Sequence, residues 1–129
     1  MLRIIFAGVL SLGCSLATAA EHADILTAFQ AASLPVAEPV KMGPKDYGMG
    51  PFVCVGQRFR LDADRNGRLF RCDDQAEQAA LADYYIEMGK TNAVFFSWVF
   101  QHGPWLLQIN GELPEEQAKK FETVLQSAR

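Results

Sequence analysis

Apolar residues follow two kinds of spacing along the chain. Three segments repeat apolar residues three and four positions apart, which predicts amphipathic helices over residues 22–34, 75–88 and 114–128. Alternation of apolar and polar residues predicts a first hairpin over residues 52–72 and a second over residues 93–110. The order is one N-terminal helix followed by two ββα units. We therefore expect an α+β fold, with a four-stranded antiparallel sheet and helices packed on one face.

Local signals mark where these elements begin and end. Asp74 is a typical helix N-cap, Gly89 is expected to end the middle helix, and Pro114 suits the first turn of the last one. Residues 35–51 contain four prolines and three glycines. They are therefore expected to form an irregular connection on the surface.

The second hairpin has the clearest pattern. A turn centred on His102 and Gly103 puts six large apolar side chains on one face of the hairpin, in three cross-strand pairs. The pairs are Phe100 with Trp105, Trp98 with Leu107, and Phe96 with Ile109. The strand over residues 93–101 has further apolar side chains on its other face, so we expect it inside the sheet rather than at an edge.

The first twenty residues are typical of a secretory signal peptide. A short positive start precedes an apolar run over residues 4–12, and small residues then lead to cleavage after Ala19 or Ala20. The apolar run is too short to span a membrane, and no later segment is long enough and uncharged enough. We expect a periplasmic or extracellular protein without a transmembrane segment in its mature chain. The alternative is a lipoprotein lipidated at Cys14.

The mature chain is long enough for one domain. It divides into an N-terminal helix and connection over residues 21–51 and a ββαββα core over residues 52–129. The full chain has 12 basic and 15 acidic residues, a net charge of −3. Loss of Arg3 with the signal leaves 11 basic against 15 acidic residues, so the net charge becomes −4. Nucleic-acid-binding domains usually have a basic excess, and we therefore expect no nucleic-acid partner.

The mature chain has two cysteines, Cys54 and Cys72. An even pair behind an export signal predicts a disulfide. One register conflicts with this prediction, because a hairpin that buries Phe59 beside Phe70 puts the two cysteines on opposite faces of the sheet.

The turn of the first hairpin has oxygen-bearing side chains at alternate positions. They are Asp62, Asp64 and Asn66, followed by Gly67, with Asp73 at the twelfth position. The segment resembles the start of a calcium loop of the EF-hand type, and this resemblance implies a calcium-stabilised structural domain with the three aspartates and Asn66 as ligands. It departs from that pattern because Asp73 stands where a glutamate is usual and because strands flank it. A plain polar turn is the alternative, and no other cofactor is predicted.

Five arginines within residues 58–71 form the first candidate binding group. On one face of the sheet, Arg58 and Arg60 in particular suit a phosphate, a sulfated glycan or an acidic partner. Carboxylates interleave with these arginines, which favours local ion pairs instead.

The aromatic side chains of the second hairpin form the other candidate group. Trp98, Phe100 and Trp105 lie near the turn residue His102. They belong either to the core or to an exposed apolar patch of the kind that contacts partners.

These features predict a non-catalytic binding or interaction module of the cell envelope, whose partner is an unidentified envelope protein or a small ligand. Both mature cysteines are committed to the predicted disulfide, and no spacing indicates a nucleophile with its base. The alternative is a small secreted hydrolase, in which His102 acts with a carboxylate such as Asp62 or Asp64 as general base.

Overall fold

The computed structural model describes residues 21–128, so the predicted signal peptide and Cys14 lie outside the described residues. The described part of the first helix, α1, spans residues 21–31. The remaining elements are β1 (Ala37–Lys41), β2 (Val55–Arg60), β3 (Asn66–Arg71), α2 (Gln75–Thr91), β4 (Ser97–His102), β5 (Trp105–Asn110) and α3 (Glu115–Gln126), with 3-10 turns at Pro44–Tyr47 and Ala93–Phe95. Within the described range, no helix combines the length and the apolar character that crossing a membrane requires.

Within residues 21–128 the sheet has five antiparallel strands in the order β1-β2-β3-β5-β4. The prediction of an α+β fold is confirmed, but the predicted four strands are one too few. The fifth strand, β1, lies in the segment expected to be irregular. Alternation did not reveal it because Pro39 interrupts it and its register shifts between Ala37 and Val40. Proline is tolerated at such positions because β1 is an edge strand.

The expectation that the strand over residues 93–101 lies inside the sheet is wrong, since β4 forms the other edge. Residues 93–95 are not strand either, because they form a 3-10 turn before β4 begins. The apolar side chains on both faces of β4 have a different cause. Phe100 packs against one buried cluster and Val99 against the other, because helices cover both faces of the sheet.

The helices pack on both faces of the sheet, so the prediction that they pack on one face is wrong. On one face, α1 and α3 pack against β2, β3, β4 and β5, and Phe29 and Phe121 are fully buried there. On the other, α2 packs against Phe70 and Leu106. The adjacent residues Leu106 and Leu107 are both fully buried and belong to different clusters, so β5 is a strand buried on both faces.

The second hairpin turns at Gly103 and Pro104 rather than at His102 and Gly103. Its pairs are His102 with Trp105, Phe100 with Leu107, and Trp98 with Ile109. Gly103 adopts a φ of 54°, a conformation that glycine reaches without strain. The register differs from the predicted one by two residues. A shift of two preserves the side-chain face, so Trp98, Phe100, Trp105, Leu107 and Ile109 share the predicted apolar face although their pairs differ. Phe96 does not belong to that face, because it precedes β4 and is 41% exposed.

The predicted disulfide between Cys54 and Cys72 is present, with Cα atoms 4.5 Å apart. The two cysteines follow directly beyond the paired residues Val55 and Arg71 and so face the same side. The expected conflict does not arise, because Phe59 and Phe70 lie on opposite faces. Each phenylalanine pairs instead with a glycine, Phe59 with Gly67 and Phe70 with Gly56.

The start of α2 is as predicted, and its end is not. Asp74 accepts hydrogen bonds from the backbone N–H groups of Ala76 and Glu77. The helix continues through Gly89 to Thr91. A Cβ atom at Gly89 would lie 3.0 Å from the Cα of Phe96, so this glycine permits a close approach of Phe96 to the helix instead of ending it.

Candidate binding cleft

The aromatic residues of the second hairpin form part of the core. Phe100 is 9% and Trp105 is 2% exposed, both in the cluster between the sheet, α1 and α3. Trp98 is half-buried and donates its indole N–H to the carbonyl of Leu113 at 2.8 Å. These three side chains therefore stabilise the fold rather than forming an exposed patch.

The residues of the hydrolase hypothesis are not brought together. The turn that contains Asp62 and Asp64 joins β2 to β3, while His102 is beside the turn between β4 and β5. Arg71, at the end of β3, pairs with Trp105 at the start of β5, so the two turns are at opposite ends of the sheet. His102 Nε2 instead lies 3.0 Å from the carbonyl oxygen of Ala128.

The predicted calcium ligands are also separated. Asp62 accepts hydrogen bonds from the backbone of Asp64 and Arg65 and pairs with the Arg65 guanidinium, which lowers the pKa of the Asp62 carboxyl. Asn66 starts β3, whereas Asp73 follows its far end and pairs with Arg71. Six strand residues span about 20 Å, so Asp73 cannot share an ion with the turn residues. Within residues 21–128, no group of three or more His, Cys, Asp or Glu side chains is arranged to hold a metal ion.

Four of the five clustered arginines have carboxylate partners, as the ion-pair interpretation predicts. Arg58 pairs with Asp46, Arg60 with Glu38, Arg65 with Asp62, and Arg71 with both Glu21 and Asp73. Arg68 differs from them, because no carboxylate of the described residues lies within ion-pairing distance. Its Nη1 donates to the Gln108 side-chain oxygen at 2.8 Å, and its buried Nε has no hydrogen-bond partner in this part of the chain.

Arg68 lies in a cleft on the α2 face of the sheet, with about 250 Å³ of free space. One wall is the side of α2, the other is the segment that leads into β4, and a short stretch around the first 3-10 turn closes one end. We call this the α2 cleft. Its lining residues are Asp46, Tyr47, Gly48, Arg68, Tyr84, Tyr85, Met88, Val94, Phe95, Phe96, Ser97 and Asn110.

The outer wall of the α2 cleft is an exposed apolar segment, Val94 to Phe96. Val94 is 83%, Phe95 52% and Phe96 41% exposed. Asn92 fixes the turn that presents them, because its side-chain oxygen accepts a hydrogen bond from the N–H of Val94 at 2.9 Å. A Cβ at Gly111 would lie 2.2 Å from the Phe96 carbonyl oxygen, so a glycine is required there for the segment to hold its position.

Two buried tyrosines, Tyr47 and Tyr85, line the α2 cleft together with Arg68. The Arg68 guanidinium carbon lies 6.0 Å from the centre of the Tyr85 ring. Burial raises the pKa of Tyr85, and the nearby Arg68 charge partly opposes that rise. Burial, with smaller contributions from Tyr85 and Asp46, raises the pKa of Tyr47 to about 12. Both phenols therefore stay neutral at physiological pH.

A second cleft, of about 280 Å³, lies between α1 and α3 and includes Trp105 in its wall. Its charged lining residues are Glu21 and Asp24, so it has no cation among the described residues. It also adjoins both ends of the described range. The α2 cleft is the better candidate, because an apolar wall meets Arg68, a cation for which residues 21–128 supply no ion-pair partner.

Comparisons with protein-family models, curated proteins and solved structures found no match to this chain.

Sequence reasoning selected Arg58 and Arg60, and the structure pairs both with carboxylates. It missed Arg68 as a separate candidate, because ion pairing across strands is invisible in the linear order. For the apolar wall of the α2 cleft the sequence does contain a signal, which is the run of four apolar residues from Ala93 to Phe96 directly after a polar helix end. Taken as the start of a strand, that run was assigned to the sheet.

Proposed function

We propose that the mature chain is an exported, non-catalytic binding module of the cell envelope, and that the α2 cleft is its ligand site. The export signal predicted in residues 1–20 and the disulfide support a location outside the cytoplasm. Within that compartment the partner is an envelope protein or a small ligand.

The exposed wall of the α2 cleft is the observation that carries this proposal. Val94, Phe95 and Phe96 keep apolar surface in water although a core lies beneath them. Contiguous exposed apolar surface on a soluble domain typically marks a contact site. Here that surface borders a concavity with a few polar groups, which is the usual composition of a ligand site.

The chemistry of the histidines and cysteines in the described residues supports binding rather than catalysis. The cysteines are joined in the disulfide, so neither offers a thiolate. His22 Nε2 lies against the backbone carbonyl of Val55, and His102 Nε2 lies against that of Ala128. A general base usually needs an orienting acidic partner, whereas His102 Nε2 faces the backbone carbonyl of Ala128.

Native mass spectrometry tests the proposal directly. The oxidised mature protein is incubated with an extract of the host's envelope, and added mass is recorded for wild type, Phe95→Ser and Val40→Ser. We expect wild type and Val40→Ser to acquire the same added species, whether protein or small ligand, and Phe95→Ser to lose it. Val40 is a matched control because it is similarly exposed, at 48%, on the opposite edge strand.

Equal added mass on all three proteins would contradict the α2 cleft as the site. Absence of any added species on wild type, at extract concentrations that saturate a micromolar site, would contradict a binding function. Thermal melting of each variant confirms that it is folded, since both positions are exposed and little loss of stability is expected.

A further inference from the structure

The ligand class follows from the two unlike parts of the α2 cleft. We infer that the cleft binds an apolar carboxylate, with the carboxylate on Arg68 and the apolar body against Phe95, Phe96 and Met88. This inference rests on the proposed function and specifies the chemistry that this site recognises.

The first argument is the unmatched charge of Arg68. A guanidinium has five N–H donors in a planar fork that fits a carboxylate. Arg68 uses one nitrogen, Nη1, toward a neutral acceptor, the Gln108 side chain. The other four arginines of the cluster have carboxylates in reach. Partly buried and over the ring of Tyr85, Arg68 is the member of the cluster whose charge an incoming anion would match.

The second argument is the position of the Gln108 side chain. It is 4% exposed, receives the Arg68 donor on its oxygen, and donates from its amide nitrogen to the Ser97 hydroxyl at 2.7 Å. This chain of hydrogen bonds fixes the guanidinium against the sheet, so its orientation is set before a ligand arrives. Preorganisation of this kind reduces the entropy that binding would otherwise lose.

The third argument is the size and polarity of the walls. The free space of about 250 Å³ is below the range of about 300–1,000 Å³ for drug-sized ligands, so it suits only a small acid or the last residue of a peptide. Phe95 and Phe96 offer aromatic surface, and Met88 offers an adaptable thioether surface on the opposite wall. A ligand that was charged throughout would leave these walls without a partner.

Asp46 limits the negative charge that a ligand of the α2 cleft can carry. Its carboxylate lines the cleft, lies 3.7 Å from Arg58 Nε, and accepts a hydrogen bond from the N–H of Gly43 at 2.8 Å. A fixed negative charge at the rim opposes ligands of higher charge. A single carboxylate on Arg68 satisfies the site, whereas a dianionic phosphate is disfavoured.

The test compares acids with their neutral counterparts on the wild-type protein. Octanoate is titrated against octanol, and N-acetylphenylalanine against N-acetylphenylalaninamide, with amide chemical shifts followed by NMR. We expect each acid to bind roughly 10- to 100-fold more tightly than its neutral partner, because hydrogen bonds to charged groups contribute that much. The shifts should concentrate at residues 94–97 and around Arg68.

Three variants locate the effect. Arg68→Gln should remove the preference for the acid, while Arg60→Gln, whose guanidinium pairs with Glu38, should retain it. Asp46→Asn should strengthen acid binding by a few-fold without affecting the neutral partner. The comparison of acid and neutral ligand on wild type holds even if Arg68→Gln is unstable.

Each outcome separates the inference from the proposed function. Equal affinity of acid and neutral ligand, with shifts in the α2 cleft, would overturn the carboxylate inference and leave the binding site in place. Failure of every probe at millimolar concentration would also overturn it, and the envelope-extract experiment would then decide the proposed function independently. A preference for octanoate supports a free aliphatic acid as the source, and a preference for N-acetylphenylalanine supports a peptide C-terminus.

Discussion

The two faces of the sheet differ in how completely helices cover them. Among the described residues, the face covered by α1 and α3 has one cluster of sixteen buried residues, whereas the face covered by α2 has a cluster of eight. Five strands are about 19 Å wide between their outer axes, and a helix with its side chains is about 10 Å across. Two helices therefore cover this sheet, and one does not. The α2 cleft is the remainder that the single helix leaves open.

The difference in coverage also separates polar from apolar side chains. The inward positions on the α1–α3 face include Phe59, Leu69 and Leu107, all fully buried. The equivalent positions on the α2 face include Arg58, Arg68 and Gln108. Charged groups are tolerated there because part of that face remains accessible to water. One face of the same sheet thus serves stability, and the other has room for recognition.

Truncation of one aromatic residue on each face should give the largest difference. Phe121→Ala removes a fully buried ring that contacts Phe29 and Phe59, and should lower the free energy of unfolding by about 3–5 kcal/mol. Phe95→Ala, on the α2 cleft, should change it by less than about 0.5 kcal/mol because the ring is half in water. Urea unfolding at equilibrium measures both. Similar losses at the two positions would show that the cleft wall is part of the cooperative core.

The sequence predicted most of the α1–α3 face correctly. The alternation in β4 and β5 identified the buried side of the hairpin, and the helix predicted over residues 114–128 includes α3, whose buried residues are Ala118, Phe121 and Leu125. These patterns are local, since each depends only on residues close in sequence. The turn position was wrong by one residue, yet the face survived because side chains alternate with a period of two.

The α2 face was predicted less well because its features depend on contacts between distant segments. Arg68 differs from Arg58 only through partners such as Asp46, which lies in a different segment of the chain. Similarly, glycine is typical of a helix end, so Gly89 was expected to end α2. Its role as the point where Phe96 approaches the helix closely is visible only in the structure. The β1 strand was missed because an edge strand with proline lacks alternation. Local pattern therefore does not distinguish residues whose partners come from distant segments of the chain.

Removal of the disulfide should have the next largest effect, and it should act on the α2 face. The bond joins Cys54 to Cys72, which are 18 residues apart, and loop-closure entropy predicts a stabilisation of about 3 kcal/mol. Cys72 packs in the cluster beneath α2. The double substitution to serine should therefore lower the urea midpoint and speed amide exchange in α2 more than in α3. Equal acceleration of amide exchange in α2 and α3 would contradict the expectation that the disulfide stabilises mainly the α2 face.

The smallest predicted effect is alkaline destabilisation through Tyr47, which lies on the α2 face. Tyr47 is 2% exposed, and its hydroxyl donates to the carbonyl of Cys54 at 3.1 Å. Its folded-state pKa is about 12, above the value of about 10 for an unfolded chain. The unfolded chain therefore loses its phenolic proton first. The contribution of Tyr47 to the free energy of unfolding is therefore fully present below pH 10. It falls as the pH rises toward 12, by up to about 2–3 kcal/mol.

Urea unfolding at pH 9 and pH 11 measures this loss for wild type and Tyr47→Phe. The variant should be less stable at pH 9, because its hydrogen bond to Cys54 is gone, but it should lose less stability between the two pH values. The raised pKa of Tyr85 acts in the same direction, so some alkaline loss should persist in the variant. An unchanged pH dependence in Tyr47→Phe would mean that this phenol is solvated, and that the α2 face is more open than its packing indicates.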